Sequence, residues 1–278
     1  MVTTKMLDLE NDGLNMVADE QFLYIRCKRT MYKYNLIDMS LVAQNVIFKK
    51  DGKARNFSIC EKYVFLVDFC DLYILDKKDL QVLEVIRLGK DLSSDLGVVR
   101  FDDQNAYISI RNGKMVVMNI ETTAVNIFDI SDSSSWDHIV FENHIYAGTV
   151  KGELVEIDTS SMQLSRKTEL CKKNIYSVVH HNGIIYTLSQ DTTIKAVNME
   201  TFETVCVAKK AVKGMTKIVG KHNDWLVVAD GGISLWDKQT LELHNRFVFP
   251  TGHFNKGVIL HNNILIGSDF HSIYKCVL

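Results

Sequence analysis

The chain has 278 residues, 46% of them hydrophobic, and a formal net charge of -2 from 32 basic and 34 acidic side chains. This apolar content excludes a disordered chain, and folding at this length buries roughly 75% of the surface the unfolded chain exposes. The even charge balance excludes the broad basic field by which general nucleic-acid binders release counterions.

The opening residues, Met1 to Glu10, lack the apolar run of a signal peptide. No later stretch reaches the ~18 uncharged apolar residues of a membrane span. The six cysteines (Cys27, Cys60, Cys70, Cys171, Cys206 and Cys276) are scattered and form no C-x-x-C pair. They read as reduced thiols, so the expectation is a soluble cytoplasmic protein that binds neither membrane nor nucleic acid.

In chain order, one short pattern returns. An apolar run closes on Asp or Asn, a few polar residues follow, and a second apolar run begins. The closing residues are Asn35, Asp76, Asn119, Asp158, Asn198 and Asp237, and a seventh copy ends at Cys276. Successive separations are 41, 43, 39, 40, 39 and 39 residues. A period near 40 with four short strands per unit is the mark of a β-propeller. The fourth unit shows the strands well, at 136–141, 145–149, 153–157 and 163–170, with alternating β-branched and aromatic residues and polar turns between. The Asp or Asn at each anchor has a physical reason. Its short side chain accepts hydrogen bonds from backbone amides two residues on and holds the turn.

The fold class expected is therefore all-β: one seven-bladed β-propeller domain over 1–278, with four-stranded antiparallel blades. The blades fall at about 13–48, 55–88, 96–130, 136–170, 174–210, 214–249 and 255–278, the last completed by 3–9. Joining the N-terminal strand to the last blade closes the ring and removes unpaired sheet edges.

Two hairpins carry a resemblance. Gly148 to Asp158, and Ser189 to Asn198, resemble the second-to-third-strand hairpins of WD-repeat and related quinoprotein-like propellers. Trp236-Asp237 is a literal Trp-Asp pair, and Gly252-His253 sits where the Gly-His pair of a WD repeat would. Six units lack each pair at the matching position. The resemblance implies a rigid platform for protein or peptide partners. It also implies a minority outcome, an enzyme site in the central channel, as in lactonases, lyases and quinone-dependent dehydrogenases.

No phosphate-binding loop, His-Glu-x-x-His pair, nucleophile elbow or dinucleotide fingerprint is present. Most of the nine histidines fall at strand ends or turns, so no metal site and no cofactor are expected. Propeller geometry directs attention elsewhere. Connections entering first strands share a face with those between second and third strands, around the mouth of a channel that the first strands line. The candidate partner-binding residues there are Arg55, Asp95, Trp136, His138, Tyr176, Lys213, Phe254 and Lys256, with Asn15, Asn56, Asn174, Lys217 and Asn255 beside them. No catalytic residue is assigned. Trp136 follows a polar, serine-rich loop and suits a partner anchor, whereas Asp137 is expected to point to the side of its strand opposite His138.

Charge on this face divides. Entering loops carry Lys49, Lys50, Lys53 and Arg55, then Lys172 and Lys173, then Lys209, Lys210 and Lys213; others carry Asp91, Asp95, Asp129 and Asp132. A basic sector beside an acidic one would steer a polar partner. The leading expectation is a non-enzymatic interaction platform. The alternatives are a lactonase- or lyase-type enzyme using His138, Asp95 and a divalent metal, and a small-molecule sensor with Trp136, Tyr176 and Phe254 as an aromatic mouth.

Overall fold

The computed structural model describes residues 3–8, 13–48, 56–68, 71–88, 96–110, 112–209, 217–229, 232–247, 257–261, 264–268 and 272–277. They form seven sheets of four antiparallel strands arranged in a ring. The N-terminal strand is β1 (Thr3–Asp8). Blade 1 holds β2 (Gly13–Ala18), β3 (Phe22–Cys27), β4 (Thr30–Asn35) and β5 (Leu41–Val46). Blade 2 holds β6 (Asn56–Ile59), β7 (Tyr63–Asp68), β8 (Asp71–Asp76) and β9 (Val82–Arg87). Blade 3 holds β10 (Leu96–Phe101), β11 (Asn105–Ile110), β12 (Lys114–Asn119) and β13 (Val125–Asp129). Blade 4 holds β14 (Ser135–Phe141), β15 (His144–Thr149), β16 (Glu153–Asp158) and β17 (Gln163–Glu169). Blade 5 holds β18 (Ile175–His181), β19 (Ile184–Ser189), β20 (Ile194–Asn198) and β21 (Thr204–Ala208). Blade 6 holds β22 (Lys217–His222), β23 (Trp225–Ala229), β24 (Ile233–Asp237) and β25 (Leu243–Phe247). Blade 7 holds β26 (Gly257–His261), β27 (Ile264–Ser268) and β28 (Ser272–Val277), and β1 pairs antiparallel with β28 as its fourth strand.

The strand patterns follow from position. Second strands have blades against both faces, so they read as unbroken apolar runs: Val64, Phe65, Leu66 and Val67 of β7 are all buried. Fourth strands meet water, and five of the six residues of β9 are exposed. The core accordingly lies between blades. One cluster joins Phe65, Leu72 and Ile74 of blade 2 to Val99, Ile108 and Val116 of blade 3, and another joins Met16, Leu23 and Ile25 to Ile266 and Ile273 of the last blade. Each such side chain contributes about 1.5–3 kcal/mol on burial.

The anchors behave as local chemistry requires. Six of them end third strands, and each side chain accepts the amide two residues on: Ile37 to Asn35, Lys78 to Asp76, Glu121 to Asn119, Ser160 to Asp158, Glu200 to Asn198 and Gln239 to Asp237. Four residues after each anchor stands a non-glycine residue with positive φ: Met39, Leu80, Thr123, Met162, Phe202 and Leu241. Its amide donates to the anchor's carbonyl, as from Leu80 to Asp76 at 2.8 Å. The left-handed conformation costs roughly 1–2 kcal/mol. It is offset because four of these side chains (Leu80, Met162, Phe202 and Leu241) are buried against the preceding blade. Four of the six turns are thus also pegs.

Candidate functional site

Consecutive antiparallel strands put successive connections at opposite ends of the ring. Entering loops and second-to-third turns lie at one end, the mouth; first-to-second and third-to-fourth turns lie at the other. Between them runs a central cavity of about 490 Å³, lined by first-strand residues including Asn15, Asn56, Arg100, Asp137 and Lys217.

Its wall is tied together by polar links from blade to blade. Asn15 Nδ2 donates to Asn56 Oδ1 at 3.5 Å, and Ser58 Oγ to the Val99 carbonyl at 2.8 Å. Arg100 donates from Nη2 to Asp137 Oδ1 at 2.8 Å and from Nε to the His138 carbonyl at 3.0 Å. Asp137 Oδ2 accepts from Ser177 Oγ and from the Val178 amide, and Ser177 Oγ in turn accepts from the Ile218 amide. The side-chain partners stand 37 to 41 residues apart, one repeat period. Asp137 is the hub, because it also accepts the His138 amide at 3.1 Å.

Asp137 and His138 do point to opposite sides of β14, but it is Asp137, not the expected His138, that lines the cavity. A β-bulge skips Trp136 in the pairing of β14 with β15, so Ser135 faces Thr149 and Asp137 faces Gly148. The extra residue shifts the alternation and aims Asp137 at the junction of blades 3, 4 and 5. Bulges also occur near the start of β2, β10 and β18 and within β22. Simple two-residue alternation, applied without the bulge, misses both Asp137 and Arg100.

Of the predicted mouth residues, Trp136 and Tyr176 are brought together. Each is the bulged residue of its first strand, and their rings meet edge to face at 6.2 Å. Both are half-buried. His138 does not belong with them. It is fully buried, its Nε2 lies 3.2 Å from the Tyr107 carbonyl, and Nδ1 has no hydrogen-bond partner. Burial, aided by Arg100, pushes its pKa down to about 4. A neutral ring locked between blades cannot meet a ligand, which removes the base on which a lactonase- or lyase-type reading relied. Arg55, Asp95, Lys213, Phe254 and Lys256 lie outside the described residues, as does Asn255. Asn174 is half-buried in the loop before β18.

Lys217 begins β22 at the mouth end of the channel. Its side chain is exposed to the cavity that the ring encloses. That enclosure, then the Arg100 guanidinium, pushes its ammonium below the ordinary lysine pKa, against the pull of Asp137. Around the rim, Asp129 pairs with Lys114 and Asp132 with Lys151, each at 2.7 Å, whereas Glu169 and Asp191 make no ion pair among the described residues. Lys172, Lys173 and Lys209 are exposed and make no ion pair among the described residues.

The opposite end holds larger grooves. One of about 940 Å³ lies between blades 1 and 2, and one of about 520 Å³ between blades 5 and 6. Several of their polar groups answer one another. Lys77 pairs with Asp19 at 2.9 Å, Lys33 donates to the Lys77 and Lys78 carbonyls above the Phe22 ring, and Tyr186 donates to the Lys238 carbonyl.

No protein-family model and no curated protein matches the chain. Solved structures do. A chain of the mitotic checkpoint complex superposes with a TM-score of 0.83 at 10% identity, over 100% of this chain and 91% of that one. The WD40 domain of Neurospora crassa Pan2 gives 0.78 at 13% identity, over 98% and 95%. The WD40 propeller domain of Doa1 gives 0.75 at 13%, over 98% and 96%. The fold is that of a WD40 propeller. The Trp-Asp pair that ends β24 serves structure: Trp236 Nε1 donates to Ser234 Oγ at 2.8 Å, and Asp237 holds the following turn. Among the described residues this propeller has no group of three His, Cys, Asp or Glu side chains placed to hold a metal ion, and no helix long and apolar enough to cross a membrane.

Proposed function

We propose that this chain is a protein-interaction platform of the cytoplasm whose partner docks on the mouth face. The observation that carries the reading is the Trp136–Tyr176 pair, two half-buried aromatic rings in contact on neighbouring first strands. Amphipathic rings of this kind supply large contact area at low entropic cost, and tryptophan and tyrosine dominate interface hot spots. The WD40 fold gives the rigid support that such a surface needs. The cytoplasmic setting is supported by Cys60, Cys171 and Cys206, which form no disulfide.

The test is affinity capture from the native cell with two double variants, Trp136→Ala/Tyr176→Ala on the mouth face and Lys62→Ala/Lys78→Ala on the opposite face. The mouth variant should lose, by at least about tenfold, a protein that the wild type and the opposite-face variant retain. Equal retention by both variants, with matched melting curves, would overturn the reading.

A further inference from the structure

Resting on that platform reading, we infer that the partner presents an acidic segment, and that one of its carboxylate side chains enters the channel mouth to meet Lys217. The argument begins with an imbalance. On the rim, the described acidic residues Asp129 and Asp132 are already neutralised by Lys114 and Lys151. The lysines of the loops entering blades 5 and 6, Lys172, Lys173 and Lys209, have no ion pair among the described residues. Against these three lysines stand Glu169 and Asp191, which also make no ion pair among the described residues, so the sector keeps a small net positive charge.

The same sign continues inward. Arg100, Asp137 and Lys217 line the cavity. Asp137 is committed on both oxygens, to Arg100 and the His138 amide through Oδ1 and to Ser177 and the Val178 amide through Oδ2. The Lys217 side chain makes no hydrogen bond or ion pair among the described residues. A lysine facing a confined cavity has lost part of its hydration, and Asp137, the carboxylate that attracts it, is already committed elsewhere, so an arriving carboxylate recovers Coulomb energy at little further desolvation cost. Asn56, at the wall, adds an amide within the same cavity. The cavity, about 490 Å³, takes a few side chains and no folded element. An extended acidic segment, steered by the rim lysines and anchored by one inserted carboxylate, fits both features.

The experiment uses the full chain and two labelled peptides, one of Glu, Gly and Ser and one with Lys in place of Glu, followed by fluorescence anisotropy. The acidic peptide should bind at least about tenfold more tightly than the basic one. Lys217→Met, which keeps the aliphatic stem, should weaken acidic-peptide binding about tenfold, while Lys217→Arg recovers most of it. Lys172→Gln/Lys173→Gln should weaken it only about threefold and flatten its salt dependence, as expected of rim charges. Free glutamate and inorganic phosphate are the competitors. If either displaces the peptide from the wild type but not from Lys217→Met, the channel is a small-anion site and the peptide proposal falls. Equal binding of the two peptides, or a Lys217→Met variant that binds as the wild type does, would also overturn it. The two-peptide comparison needs no variant and stands even if a substitution unfolds the chain. If the acidic peptide fails while Trp136→Ala/Tyr176→Ala still loses the cellular partner, the platform survives and this inference alone is lost.

Discussion

The two ends of the ring are built to different rules from the same repeat. At the end opposite the mouth, each described third-to-fourth turn has one length, an Asp or Asn at its first position and a left-handed residue four places on. Its charges find partners nearby, as Asp19 does in Lys77. At the mouth, entering connections range from 130–134 to 47–55, and exposed lysines stand unanswered among the described residues. The comparison teaches that the repeat spends its regular positions on joining blades and leaves its irregular ones to face a partner. Asp137 is the informative exception, a structural hub reached through an irregular strand.

The largest expected effect tests that exception. Asp137→Ala leaves the Arg100 guanidinium, the Ser177 hydroxyl and two backbone amides without their acceptor in a buried setting. The cost should be about 4 kcal/mol, read as a lower urea midpoint, with Asp137→Asn recovering part of it. A loss below about 1 kcal/mol would mean that the polar links merely decorate packing done by the apolar clusters.

Next comes His138, on the other face of the same strand. Its pKa is depressed to about 4 in the fold, against about 6.5 in the unfolded chain. Above pH 6.5 both states hold the neutral ring, and His138 adds no pH dependence. As pH falls below 6.5 only the unfolded chain takes up the proton, so stability declines by about 1.4 kcal/mol per pH unit, to about 3 kcal/mol in all near pH 4. Carboxylates with lowered folded values lose their stabilisation only below about pH 4, so the window from 6.5 to 4.5 isolates the histidine. His138→Gln, whose amide can still reach the Tyr107 carbonyl, should remove the slope in that window. An unchanged slope would show that another group titrates there.

How much of this was legible in advance differs by region for physical reasons. The blade count, the anchors and the N-terminal strand's place beside the last blade follow from a period that the chain repeats in order, and hydrogen bonding within each turn enforces it locally. The site is harder to read. Trp136 and Tyr176 were placed together because both open first strands, but His138 was carried with them by counting alternate residues. A bulge breaks that count, and the sequence carries no mark of it beyond an aromatic residue just inside the strand. The burial of His138 is likewise a property of Tyr107, a repeat earlier, and is not written in its own neighbours. The pegs could have been found: a large apolar residue four places after each of four anchors, Leu80, Met162, Phe202 and Leu241, is visible in the chain.

Leu80 sharpens the regular side of the comparison. Its side chain is fully buried against blade 1 while its backbone sits at φ 64°. Leu80→Ala keeps the strain and empties the site, and should cost about 3 kcal/mol. Leu80→Gly loses the same packing but relieves the left-handed strain, so it should cost about 2 kcal/mol. Glycine therefore ought to be the milder substitution here, the reverse of its ranking inside a strand. Were alanine the milder, the turn would not be held against strain by its peg.

The smallest effect belongs to the anchors themselves. Asn198 accepts the Glu200 and Thr201 amides at 2.9 Å each, on a turn open to water. Water can replace that acceptor once Asn198→Ala removes it, so the loss should stay near 1 kcal/mol and the melting curve should remain a single transition. Asn198→Asp, which keeps the acceptor, should cost about nothing beyond 0.5 kcal/mol. The contrast with Asp137 then separates two roles for one kind of side chain. Where the acceptor faces solvent it sets a turn, and its removal is tolerated. Where the acceptor is enclosed by three blades it cannot be replaced, and only there does one carboxylate decide whether the ring holds its shape at the mouth.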